Sequence, residues 1–154
     1  MAGKSDTFEN DFLKLLFNNT TASGIGDATG LVGSTTAGSL YLSLHTADPF
    51  ASSETSDQTT SEISYTPYAR VAVARTTGGW SVTNSSGTNR AYLAALAAFA
   101  EMASGTGGTV TYFGVGTASS GTGKLLYSGP VSPSINVAVG VTPQLTTSTY
   151  IEEQ

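Results

Sequence analysis

The chain has 154 residues, a net charge of −5, only 11% charged side chains and no cysteine. That length supports a single core, and seven Tyr, six Phe and one Trp are enough to fill it, so the high Gly, Ser and Thr content signals turn-rich β structure and not disorder. The missing cysteines exclude disulfides and thiolate metal sites, and six scattered basic residues argue against a partner bound through phosphates.

The first element is an amphipathic helix in SDTFENDFLKLLFNN. Asp6 is expected to cap it, Glu9 to complete a capping box, and Phe8, Phe12, Leu15 and Leu16 to share one face, with the helix ending near Asn18 and Asn19. So short a helix needs its apolar face covered. Two coverings are open: the chain's own core, or a neighbouring subunit for which these four residues are the anchors.

From Thr20 to Gly38 the Gly, Thr, Ser and Ala run predicts an extended arm. SLYLSLH at 39–45 alternates, with Leu40, Leu42 and Leu44 on one face and Tyr41, Ser43 and His45 on the other, and is a strand. Residues 47–67 form a long polar connection, the segment best placed to touch a partner. YARVAVART is the next strand, and GGWSVTN reads as its hairpin partner across Gly78 and Gly79, with Trp80 as an anchor.

AYLAALAAFAEM is ambiguous, because Ala, Leu and Met favour a helix while its place between strands favours a strand ending near Phe99. TVTYFGVG is a strand whose apolar phase shifts between Tyr112 and Phe113, as a bulge near Gly114 would produce. GKLLYSG reads as a short strand and SINVAVGV as a separate one through Val141, and QLTTSTYIE closes the sheet. The expected class is all-β: a β-sandwich or jelly-roll-like domain over 39–154, preceded at 1–38 by the short helix and the extended arm.

Motifs for chemistry are weak. Ala118 to Leu125, ASSGTGKL, approaches a phosphate loop but places Ala118 and Leu125 where Gly and a hydroxyl residue are needed. His45 is the one imidazole in the chain, so a hydrolase triad or a zinc site has little to build on. Asp48, Glu54, Asp57 and Glu62 lack the spacing of a calcium loop. No catalytic residue, cofactor or metal site is assigned, and the expectation is a protein that is not an enzyme. No run reaches the roughly 20 apolar residues of a spanning helix, and the N-terminus lacks signal-peptide order, which predicts a soluble protein without membrane contact.

The strings LYLSLHTADP at 40–49, YTPYARVAVAR at 65–75, the Gly79-Trp80 pair, TYFGVGTASSGTGKLLYSG at 111–129 and GVTPQL at 140–145 are similar to a family of small virion structural proteins of tailed bacteriophages, often labelled phage tail fibre proteins. The resemblance runs from Asp6 to about Tyr150 and implies a virion component made in the host cytoplasm. Two roles follow from it. The first is a capsid decoration or cement protein on the exterior of the head, bound to the major capsid protein. The alternative is a tail fibre or tail-tip protein that contacts the host. Either would pair with other virion subunits and self-associate as a homo-oligomer, with Phe8, Phe12, Leu15 and Leu16 as partner-binding residues.

Overall fold

The structure is a computed structural model that describes residues 3–53, 55–85 and 87–153; Glu54, one of the acidic residues weighed above, lies outside them. The chain is of the all-β, sandwich-like class with one helix at its N-terminus. Two compact units divide it: residues 1–39, 73–96 and 146–154 form the first, and residues 40–72 and 97–145 the second.

In the first unit, helix α1 (Asp6–Asn18) precedes strands β3 (Trp80–Ser85), β4 (Thr88–Leu93) and β9 (Tyr150–Glu153), which form an antiparallel sheet in the order β3-β4-β9. The strand β2 (Val71–Ala74) spans the boundary between the units, and β1 (Ser39–His45) begins at it. The cap of α1 is Ser5 and not Asp6: the Ser5 hydroxyl accepts the Phe8 N–H at 3.3 Å. Asp6 is then the first helical residue, where a carboxylate still favours the positive helix end. Glu9 does not reach back as a capping-box partner; it is buried and accepts from Asn89 Nδ2 at 3.1 Å. The helix ends at Asn19, which adopts the left-handed conformation at φ 55°, a common residue for that terminal geometry.

Helix α1 packs on β3 and β4. Leu13 and Phe17 are fully buried, and the Phe17 ring meets Trp80 edge-on at 4.7 Å between centroids. Trp80 is therefore a core anchor, as its sequence context predicts, but its strand does not form a hairpin with the preceding one. β3 pairs with β4 from Trp80↔Leu93 to Ser85↔Thr88. Gly79 serves a tight turn there: a Cβ on it would lie 2.1 Å from the Ala74 carbonyl oxygen. The ambiguous Ala-rich segment is extended, split into β4 and the two-residue β5 (Ala97–Ala98).

The second unit is built around a sheet in the order β2-β1-β6-β7, with β6 (Gly108–Gly116) and β7 (Leu125–Val137) as its longest strands, and a minor pairing of β5 with β8 (Gln144–Leu145). Tyr41 to His45 face Gly116 to Tyr112 across β1 and β6. Leu40, Leu42 and Leu44 are buried, and Ser43 and His45 on the opposite face are buried too. A strand covered on both faces loses the exposed half of its alternation. β7 is one continuous strand that joins the two segments read separately from the sequence. It stops at Val137, so Val139 lies beyond it and is 67% exposed. β6 is irregular, as its phase change suggested, but the register shifts fall between Val110 and Tyr112 and between Val115 and Gly116.

Candidate functional site

The four residues expected to anchor a partner lie on a flank of α1 beside its buried side. At 3.6 residues per turn, the line through Phe8, Phe12, Leu15 and Leu16 stands roughly a third of a turn from the line through Glu9, Leu13 and Phe17. Phe8 is 37% exposed, while Phe12, Leu15 and Leu16 are half-buried. The structure brings Phe8 and Phe12 together, their ring centroids 6.3 Å apart. The four side chains thus contribute partly to their own unit and leave apolar surface at the protein's boundary.

The end of this helix is fixed by contacts that carry no local signal in the sequence. Arg75 donates from Nε to the Leu16 carbonyl at 2.6 Å and from Nη2 to the Leu15 carbonyl at 2.8 Å. A cation on the last free carbonyls satisfies them and complements the negative helix end. Its Nη1 reaches the Ser34 hydroxyl at 3.1 Å and the Ala37 carbonyl at 3.3 Å, and Asn19 pairs with the backbone of Ser34 through both amide atoms at 2.7 Å. The arm therefore folds back on the helix end. On it, Leu31 and Val32 are 44% and 66% exposed, just before Gly33, whose backbone lies against Asn19.

The polar residues weighed for chemistry are engaged in structure. His45 is wholly buried; its Nδ1 lies 2.8 Å from the Thr60 carbonyl and its Nε2 2.8 Å from Ser43 Oγ. The carbonyl can only accept, so Nδ1 carries the proton and Nε2 accepts from the serine. Burial holds the imidazole below its ordinary pKa. A serine and histidine in this pairing resemble part of a hydrolytic triad, but both side chains are 0% exposed and the third partner is a backbone carbonyl, so no substrate carbonyl can reach the hydroxyl. Gly114 is needed beside them, since a Cβ there would lie 2.6 Å from His45 Nε2.

The 118–125 loop has the reverse polarity of a phosphate cradle. Arg70 donates to the Ala118 carbonyl at 3.0 Å and the Gly121 carbonyl at 2.8 Å, and the Gly123 carbonyl accepts the Gln58 N–H at 3.0 Å. A phosphate loop presents N–H groups inward; this one turns its carbonyls onto a cation. Arg70 is in turn held by Glu62 through two charge-assisted bonds of 2.7 Å, and Tyr68 OH donates to the same carboxylate at 2.9 Å. Burial and the nearby carboxylate push the Tyr68 phenol well above its ordinary range. This network orders the long 47–67 connection, whose Gln58, Ile63 and Tyr65 are buried. Asp57 is engaged by Thr59 and Asp48 by the Phe50 N–H. Among the described residues, no group of three or more His, Cys, Asp or Glu side chains is placed to hold a metal, and no helix is long and apolar enough to cross a membrane.

Residues 3–150 match a family model described as podophage GP4 fiber I protein gp80. The chain belongs to that family. It is thus a structural protein of a tailed-phage virion, as the strings at 40–49, 65–75 and 111–129 implied. A search of curated proteins finds no match. Among the motif residues of this fibre family member, Tyr68 and Arg70 in YTPYAR and Gly121 in ASSGTG belong to one hydrogen-bonded network.

Proposed function

We propose that the protein is a non-enzymatic component of the phage tail-fibre apparatus, joined to neighbouring virion subunits through the outer flank of α1. The observation that carries this reading is the match to a fibre-protein family over nearly the whole chain. Of the two virion roles open from the sequence, decoration of the capsid exterior has no such support, and the fibre role is preferred. Phe8, Phe12, Leu15 and Leu16 are the anchors. Covering a Phe or Leu side chain contributes roughly 1.5–3 kcal/mol when burial is complete, and these four begin partly covered, so each would add less. The Arg75 cap fixes the backbone beneath Leu15 and Leu16, which lowers the ordering cost of binding.

Quantitative mass spectrometry of purified virions, with immunogold labelling against the protein, tests this. A copy number of tens or fewer per particle and label confined to the tail are expected. Hundreds of copies and label spread over the head would replace the fibre role with decoration. Phe8→Ser and Leu15→Ser variants should melt within about 4 °C of wild type and fail to incorporate.

A further inference from the structure

We infer that a cleft in the second unit, between the 62–66 and 105–107 segments, is a binding site for a neutral saccharide ring. The cleft has a volume of about 400 Å³ and is lined by Thr46, Glu62 to Thr66, and Gly105 to Gly107. That is in the size range of sites for small ligands.

The lining chemistry selects the ligand class. Thr46, Ser64, Thr66 and Thr106 are exposed and surround the opening with hydroxyls, each both donor and acceptor. Among the described residues, no lysine or arginine lines the cleft, so an anion finds no counter-charge. Glu62 is the one carboxylate among the described lining residues, and its charge is balanced by Arg70 at 2.7 Å, so a cation gains little. Ile63 and Tyr65, the large apolar side chains in the lining, are only 3% and 7% exposed, which leaves an apolar ligand little to cover. A ligand rich in hydroxyls and without charge matches all of these conditions.

Glu62 is already committed within the wall. Its Oε1 accepts from Arg70 Nε and Tyr68 OH, whereas Oε2 accepts from Arg70 Nη2. Both carboxylate oxygens are therefore engaged within the wall, and the rim hydroxyls are the groups that meet the ligand. Gly105 keeps the far wall open: it has φ +115°, and a Cβ on it would press on Tyr65 Cα at 3.2 Å. The Tyr65 hydroxyl donates to the Ala100 carbonyl at 2.8 Å, which holds the wall in place. This inference is independent of where in the virion the protein sits.

Nuclear magnetic resonance titration of the isotope-labelled full chain with D-glucose, D-galactose, D-mannose and N-acetyl-D-glucosamine, carried to tens of millimolar, tests it. At least one sugar should shift the amide signals of residues 46, 62–66 and 105–107 saturably. Thr106→Phe and Ser64→Phe alter exposed side chains and fill the opening, and should weaken that binding at least tenfold while the remaining spectrum keeps its folded dispersion. Glucuronate should shift the same signals at least tenfold more weakly, because its carboxylate finds no basic group in the lining. Absence of saturable shifts with all four neutral sugars, shifts that map elsewhere, or binding unchanged in both filled variants would overturn the assignment.

Discussion

Replacing Glu62 with Gln tests whether the Arg70 network holds the second unit together. The side chain of Arg70 is 3% exposed and that of Glu62 13% exposed, so the variant leaves a guanidinium buried without its counter-charge. Stranding one member of a buried ion pair costs about 3–5 kcal/mol. Arg70 keeps the carbonyls of Ala118 and Gly121 as acceptors, which places the expected loss near the lower end, at about 3 kcal/mol. For a chain of this size each kcal/mol shifts the melting temperature by roughly 2–4 °C, so calorimetry should show a drop of about 6–12 °C. The converse variant, Arg70→Met, should cost less, because Glu62 is nearer to water and keeps the Tyr68 hydroxyl as a donor. The double variant Glu62→Leu/Arg70→Met should recover part of the loss, since no charge remains buried. A Glu62→Gln melting temperature within about 2 °C of wild type, under 1 kcal/mol at this chain length, would refute this account of what orders the 57–70 and 117–124 segments.

The two flanks of α1 should respond differently to truncation. Phe17→Ala removes a fully buried ring packed edge-on against Trp80 and should cost about 3–5 kcal/mol, whereas Leu15→Ser should cost about 1 kcal/mol or less; urea denaturation followed by Trp80 fluorescence separates them. Gly116→Ala would set a Cβ 2.1 Å from Gln58 Cδ, and overpacking of that kind should lower stability by about 1–3 kcal/mol, read as a lower urea midpoint. His45, held below its ordinary 6.5 by burial, should make the protein less stable in acid. The unfolded chain takes up the proton at 6.5 and the folded chain only lower, so its contribution is complete above that pH and declines as pH falls beneath it. Urea midpoints at a series of pH values should show the decline, and His45→Gln should flatten that part of the curve.

The local pattern of the sequence carried the fold class, and partner choice did not follow from it. Alternation of Leu40, Leu42 and Leu44 located β1, and the Phe and Leu spacing with Asn18 and Asn19 located α1. Yet a period of two says that a segment is extended without saying which strand lies beside it. The Gly78-Gly79 turn made a hairpin of β2 and β3 plausible, whereas the ladder actually joins β3 to β4. The helix was harder still. FLKLLF is apolar around most of its circumference, so Phe8, Phe12, Leu15 and Leu16 formed as good a stripe as Leu13 and Phe17, and only the position of Trp80 decides which is buried. Glu62 and Arg70 are polar residues at an uninformative spacing in a loop. Their pairing, and the cleft beside it, depend on a chain path with no local signal.

The division of the first unit among three separated stretches of chain has a consequence for synthesis. β4 receives its outer neighbour only through Ala91 and Ile151 and the pairs around them, sixty residues apart, and the intervening segment belongs almost wholly to the second unit. On the ribosome, then, α1, β3 and β4 can meet while the edge of β4 still stands bare, and an unpaired strand edge is a template for another chain. Contacts so distant in sequence form slowly. Copies emerging side by side from one message are therefore most open to strand exchange in the interval before β9 arrives, and nascent chains halted short of residue 150 should be the species most prone to aggregate.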